Sequence, residues 1–248
     1  MNLNTGLLSY LFDGAIPPVV YFAVIGGVLV LSYLLGSVNT AIIISRLLHG
    51  EDIREKGSGN AGLTNMNRVY GLGAAGLTLL GDLLKAAVSI GVGGLLLGFG
   101  YSMGVSTNAV LYFSALLVAI GHVFPCYYGF KGGKGVLVTA VSALILSPAV
   151  FAILFILFVL IVWLWRYVSL GSISVAALYP FAISGYFLLA TSTVVDGVRR
   201  VGRIDLGVTV AATLLALLIV WCHRANIKRI ASHTESKLSF KKKDKTER

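Results

Sequence analysis

The chain has 248 residues, 57% of them hydrophobic and 12% charged, with a mean hydropathy of +0.88 and a formal net charge of +10. A soluble domain carries about a quarter charged residues. This composition therefore excludes a water-soluble fold and leaves an all-α, polytopic integral membrane protein.

Residues 1–18 read as an N-terminal extension. They hold no Lys or Arg, so the positively charged start of a secretory leader is missing, and the first span is expected to stay in the mature protein. Val19 to Ile44 and Val136 to Trp165 each run without a charge, and roughly 20 apolar residues cross a bilayer. Hydropathy predicts helices over about 19–47, 71–98, 107–127, 136–165, 174–194 and 207–227, joined by polar connections at 48–70, 128–135, 166–173 and 195–206. Asp82 and Lys85, three apart inside an apolar helix, are costly there unless paired or functional. They are expected to form an ion pair tethering that helix to the polar loops. GLGAAG (71–76) has no strand before it and reads as helix packing rather than a dinucleotide site. GLLLG (94–98) fits the small-residue packing pattern of membrane helices. Cys126 and Cys222, at the ends of apolar segments, could pair but read rather as buried thiols.

The run 136–165 is 30 residues, about 45 Å as one helix. It contains Ser147–Pro148, and proline removes a backbone donor and turns the preceding residue away from helix. The run therefore divides into a short helix at 136–146 and a longer one at 149–165, which makes about seven spans in a membrane domain of 19–230. In a seven-span arrangement the connections 48–70, 128–135 and 166–173 and the segment after Trp221 share the cytoplasmic face. With six spans, the third connection and the tail move opposite the first two. The basic tail, 231–248, with Lys237, Lys241, Lys242, Lys243, Lys245 and Arg248, reads as cytoplasmic by the positive-inside rule. It fits contact with anionic lipid better than contact with nucleic acid. Arg199, Arg200 and Arg203 fall outside against that trend, outnumbered by the tail and loop charges.

Four polar segments carry the chemistry. GSGNAGLTNMNR (57–68) has glycines that let backbone N–H groups form an anion-binding nest, with Ser58, Asn60, Thr64 and Asn65 as side-chain donors and Arg68 able to fork onto a phosphate. GHVFPCYYGFKGGKG (121–135) places Gly132 and Gly133 between Lys131 and Lys134, just before a free helix N-terminus. RYVSLGS (166–172) supplies Arg166 and two hydroxyls, Ser172 among them. HRANIKRIASHTESK (223–237) places His223 and Asn226 three apart on one helix face, with Glu235 its only acid. No segment offers a carboxylate cluster suited to a cation.

These motifs, in order from Gly36 to about Leu238, resemble those of the PlsY family, the bacterial acyl-phosphate-dependent glycerol-3-phosphate acyltransferases. The resemblance implies seven membrane helices in the bacterial inner membrane and a site open to the cytoplasm. It implies transfer of a fatty acyl group from acyl phosphate to the 1-hydroxyl of glycerol 3-phosphate, giving lysophosphatidate and phosphate, with no metal, coenzyme A or other cofactor. A soluble acyl-phosphate-forming enzyme is implied as a partner. By matching positions the functional residues fall on Ser58, Arg68, Lys134, Ser172, His223, Asn226 and Glu235. The chain departs at Leu63, where a small residue is usual, at Gly171, where Ala is common, and at His233, where Gly precedes the Thr-Glu pair.

Two phosphate-bearing substrates demand many donors and positive charge. Acyl phosphate carries a good leaving group, so positioning and charge neutralisation are expected to dominate catalysis. Arg68, Lys134 and the glycine-loop N–H groups are expected to cradle phosphate, with Ser58, Asn60, Asn65 and Ser172 donating. Asn226 is expected to orient the glycerol hydroxyl, and the proton goes either to His223 or to a substrate phosphate. The rival readings are a transporter for a small organic anion, built on the same cradles and a broken helix at Pro148, and a noncatalytic scaffold presenting basic loops to lipid. Internal inverted repeats would favour the first, and none is seen.

Overall fold

The computed structural model describes residues 6–98, 101–102, 105–195, 198–200 and 202–238. The start of the N-terminal extension and the tail charges Lys241, Lys242, Lys243, Lys245 and Arg248 lie outside the described residues. The fold is helical: α1 (Gly6–Leu11), α2 (Pro18–Ser37), α3 (Thr40–His49), α4 (Leu63–Tyr70), α5 (Leu72–Leu97), α6 (Thr107–Val123), α7 (Val136–Leu146), α8 (Pro148–Trp165), α9 (Val168–Ala190), α10 (Leu206–Cys222) and α11 (Arg224–Ala231). Two small antiparallel hairpins, Tyr101–Ser102 with Val105–Ser106 and Thr193–Val195 with Val198–Arg200, close the end of the bundle away from the polar segments. Among the described residues five helical segments are long and apolar enough to cross a membrane, and six if α10 and α11 count as one bent span. The short apolar α7 supplies a seventh membrane-embedded element.

The bundle is organised around α6. Its most apolar stretch is 72% buried, against 17% for those of α8 and α9, so α6 is the axis and the other two face lipid. Tyr112, Ala115, Leu116, Val118 and Ala119 of α6 form the core with Ile183 of α9 and Val208, Ala211, Ala212 and Leu215 of α10. Helices α2 and α6 meet backbone to backbone. A Cβ on Gly121 would lie 2.3 Å from Tyr33 O, and one on Gly36 would lie 2.3 Å from Val118 O. Small residues permit this approach, which packs membrane helices where no hydrophobic force acts between them.

The break at Ser147–Pro148 reverses the chain. Helix α7 ends at Leu146 and Pro148 takes the first position of α8, where its missing N–H costs nothing. The start of α7 and the end of α8 lie at the same end of the bundle. Lys134, just before α7, bonds Asn226, while Arg166, just after α8, accepts from the backbone of Leu238 on the same terminal segment. The two stretches must therefore run in opposite directions.

Several boundaries differ from the sequence reading: α4 lies inside the predicted connection 48–70, α6 ends at Val123 rather than 127, and three further differences bear on the site. The predicted helix 19–47 breaks at Val38–Asn39, because Asn39 accepts from Ile42 N at 3.1 Å and caps a new helix. Helix α9 starts at Val168 rather than 174, so Ser172 lies within a helix and not in a loop. The predicted helix 207–227 stops at Cys222 and resumes bent by 55°, with His223 as the joint.

Behind these breaks sits a buried ion cluster. Lys85 Nζ lies 2.9 Å from Asp82 Oδ1 and 2.9 Å from His122 Nδ1. It also donates to Gly36 O at 3.3 Å and Val38 O at 3.0 Å, the carbonyls left open where α2 ends. The expected Asp82–Lys85 pair is thus present and does tether α5 to the α2–α3 break.

Candidate active site

The segment 51–62 is folded by its own polar groups. Asn65, 1% exposed, donates to Lys56 O at 2.9 Å and Ile53 O at 3.3 Å and accepts from Ser58 N at 2.9 Å. Gly57 (φ 58°) and Gly59 (φ 72°) flank Ser58 in the left-handed region that glycine tolerates. This turn leaves the Ser58 side chain exposed, Asn60 half-buried beside Gly62, and Arg68 exposed in the last turn of α4. Arg54 stitches this segment to the next. Its guanidinium holds both oxygens of Asp52, at 2.9 and 2.7 Å, and donates to Tyr128 O at 2.7 Å and Lys131 O at 3.1 Å. Hydrogen bonds from Arg54 hold the Asp52 carboxyl well below the usual carboxylate range.

The glycine loop folds back onto the end of α6. Gly132 N–H donates to Val123 O and Gly133 N–H to His122 O, each at 3.0 Å. Those two groups, expected to cradle phosphate, are instead spent on the carbonyls orphaned where α6 ends. Besides the exposed Lys131, the donors this segment offers a ligand are the Lys134 ammonium, which spends one hydrogen on Asn226, and the first N–H groups of α7, which follow Gly135 (φ 78°) and have no intrahelical partner. Asn65 is corrected likewise. Its amide is consumed in shaping the loop, and it acts on a ligand only through the turn that it holds.

The last two segments close the site. Lys134 Nζ donates to Asn226 Oδ1 at 2.6 Å, and Asn226 Nδ2 donates to Glu235 Oε1 at 2.7 Å. Glu235 also accepts from Ser169 Oγ at 2.7 Å and from Arg229 Nε at 2.6 Å. One chain of contacts thus joins the glycine loop, the tail helix and the start of α9. The left-handed residue His233 (φ 57°) ends α11 and turns Glu235 back toward it. His233 stands where Gly is usual and takes up the same left-handed turn, at the cost of about 1–2 kcal/mol that a Cβ brings there. Burial raises the Glu235 carboxyl, but hydrogen bonds from Ser169, Asn226 and Arg229 outweigh it and leave a net depression. Burial lowers the Lys134 ammonium; Glu235 offsets part of this, and Arg229 and Arg68 add to it.

His223, 3% exposed, places Nδ1 2.7 Å from Ile219 O. A carbonyl accepts only, so Nδ1 carries the proton and Nε2 is left with a lone pair. Ser172 donates to Val168 O at 2.9 Å within its own helix, which leaves its oxygen as an acceptor. Ser169, Arg229 and Arg54 were not singled out from the sequence. Ser169 shares the predicted SLGS segment with Ser172, but the choice between them depends on where α9 begins.

These segments match one family. Residues 26–233 fit the model of the glycerol-3-phosphate acyltransferases. The chain belongs to the glycerol-3-phosphate acyltransferase family. A relative of that name from Syntrophomonas wolfei is 40% identical over 213 residues, covering 86% of this chain and 96% of its own. One from Bacillus subtilis is 32% identical over 215 residues, covering 86% and 96%. The crystal structure of PlsY, an integral membrane glycerol 3-phosphate acyltransferase in its glycerol 3-phosphate form, superposes with a TM-score of 0.70 at 29% identity, covering 87% of this chain and 96% of that one. Its lysophosphatidic acid form gives 0.68 at 28%, covering 87% and 95%.

Proposed function

We propose that this acyltransferase takes its acyl group from acyl phosphate and transfers it to the 1-hydroxyl of glycerol 3-phosphate, with the site on the cytoplasmic face of a bacterial inner membrane and the C-terminus on the same side. The carrying observation is the linked array Lys134–Asn226–Glu235–Ser169 at one end of the bundle, with Arg68 and the α7 N-terminus beside it. It is rich in donors, and its one carboxylate already has both oxygens in use. Such a site holds phosphates and has no carboxylate free to act as a base.

Arg68, Lys134, Ser58 and Asn60 neutralise and orient the two phosphates. The remaining Asn226 N–H and the Ser172 oxygen fix the glycerol. The hydroxyl oxygen then attacks the acyl carbon, the bond from that carbon to the phosphate oxygen breaks, and phosphate leaves with the electron pair. The hydroxyl proton passes to His223 Nε2. Acyl phosphate is a reactive mixed anhydride, so a soluble enzyme that forms it is the natural supplier.

Purified protein given glycerol 3-phosphate with acyl phosphate, or in parallel with acyl-coenzyme A, tests the donor. Lysophosphatidate from acyl phosphate alone supports the proposal, and product from acyl-coenzyme A alone refutes it. Labelling of single cysteines at positions 58 and 172 in intact cells and in inverted vesicles tests the sidedness. Reaction at either position in intact cells with a membrane-impermeant reagent would place the site outside.

A further inference from the structure

We infer that His122 is a positioning residue of the site: held by the buried Lys85–Asp82 pair, its imidazole sets the spacing between the glycine loop that carries Lys134 and the segment that carries Ser58, Asn60 and Arg68. This inference rests on the reading above, in which those two segments hold the phosphates, and adds the group that fixes one against the other.

The imidazole lies in the last turn of α6 and is 5% exposed. An ammonium only donates, so His122 Nδ1 accepts from Lys85 Nζ at 2.9 Å and the ring proton sits on Nε2. The Nε2 edge of the ring meets Gly133. A Cβ at Gly133 would overlap His122 Nε2 and would lie 2.7 Å from Ala61 O. The missing side chain is what lets the loop close between the imidazole and the first segment. Gly133 N–H also donates to His122 O at 3.0 Å, so the ring and the carbonyl of one residue hold the same glycine. Lys134 is the next residue along the chain. Ala61 follows Asn60 and is fully buried. Asn39 Nδ2 reaches Ala61 O at 3.5 Å from the α2–α3 break whose carbonyls Lys85 holds.

Tethering α5 to that break needs only Lys85 and Asp82. One turn further along α5, Ser89 Oγ bonds Ser32 Oγ at 2.8 Å and joins the same two helices without any charge. A further ionisable side chain in this apolar setting is costly unless it is functional. What His122 adds to the tether is direction. Lys85 fixes the orientation of the ring, the ring bears on Gly133, and Gly133 carries Lys134. The ion pair thus reaches the phosphate donors through the imidazole, and a change at His122 moves Lys134 relative to Ser58 and Arg68 without removing any group that touches substrate.

Steady-state kinetics with glycerol 3-phosphate and acyl phosphate supply the test. His122→Ala is expected to lower kcat/KM for glycerol 3-phosphate about 100-fold, with about tenfold of the loss in KM. Loss of folded protein would lower kcat and leave KM unchanged, so an unchanged KM in His122→Ala overturns the inference whatever its kcat. Ser89→Ala is the control. It removes a buried bond between α2 and α5 away from the loop and should keep KM within about twofold of wild type; a KM raised as far as in His122→Ala would make general loosening of these helices the cause. The double variant His122→Ala/Gly133→Ala should fall no more than about threefold below its less active single variant, because both changes open one contact. Losses that multiply overturn the inference. The unmodified protein gives an independent readout. The side-chain nitrogen NMR signals of His122, assigned through contact with Gly133 Hα, should show a proton on Nε2 and none on Nδ1, and a proton on Nδ1 overturns the inference. If Lys134→Ala keeps wild-type kinetics, the site reading falls first and this inference falls with it. If Lys134→Ala is impaired and His122→Ala is not, the inference alone falls.

Discussion

Gly132→Ala isolates the role of the glycine loop. A Cβ at this position would lie 2.0 Å from His122 O and 2.8 Å from Pro125 Cδ, where ordinary contact begins near 3.4 Å. The obstacle is backbone at the end of the central helix and cannot swing aside, so the loop must withdraw by about 1.4 Å. That movement lengthens the bonds from Gly132 N to Val123 O and from Gly133 N to His122 O, each contributing about 1 kcal/mol. Loss of both, with residual strain, gives about 2–3 kcal/mol of destabilisation. Lys134 is two residues further on and moves with the loop, and a displacement of about 1 Å at a positioning group costs on the order of 100-fold in rate. Gly129→Ala is the control. It has φ 65° and nothing within 4 Å of the added carbon, so it should cost only about 1 kcal/mol for the left-handed backbone and leave turnover near wild type. The assays are the initial rate of lysophosphatidate formation and thermal unfolding in detergent. A Gly132→Ala protein with wild-type rate and melting temperature would refute the placement of this loop against α6.

Lys134 must carry its proton to hold phosphate, and its folded value is lowered. The alkaline limb of kcat/KM should therefore fall below the ordinary lysine value of about 10.4. Lys134→Arg should move that limb to higher pH, and Lys134→Ala should lower the rate by about 10²–10³; a limb unchanged in the Arg variant would assign it elsewhere. Glu235→Ala removes the acceptor of Asn226, Ser169 and Arg229. It should cost about 2–3 kcal/mol and lower the rate more than Ser169→Ala, as measured by thermal unfolding and steady-state kinetics on both variants. Asp52 has a depressed carboxyl, so its contribution is full above the unfolded value near 3.9 and is lost as pH falls through its lower folded value. Asp52→Asn should be less stable than wild type at pH 7, with a difference that shrinks in strong acid. Lys85→Met leaves a buried carboxylate unpaired at Asp82 and should cost about 3–5 kcal/mol, a loss that Asp82→Asn in the same chain should partly restore.

The residues alone determined the class of the fold. Long apolar runs without charge are suited to a bilayer, and the proline after Ser147 divides a run too long for one span, whereas Pro180 is carried inside α9; the membrane helices were legible from composition, and the 146–148 break from composition together with length. The segments that gather at the site were legible for the same reason, since Gly, Asn and cationic residues between apolar helices have no use in a core. What depended on the tertiary structure was the allocation of hydrogen bonds. Gly132, Gly133 and Asn65 look like phosphate donors in isolation, yet α6 ends beside the first two and leaves carbonyls that need partners, while the 53–58 turn consumes the third. Ser169 looked no different from Ser172 until α9 began at Val168 and aimed it at Glu235. A sequence reading places His223 on a continuous helix, but the chain bends there, and Asn226 bonded to Lys134 and Glu235 bonded to Ser169 hold the terminal segment across the bundle. Hydropathy and turn chemistry act over a few residues and can be read along the chain. The partner of a donor is settled by which helix ends nearby, and that is a property of packing.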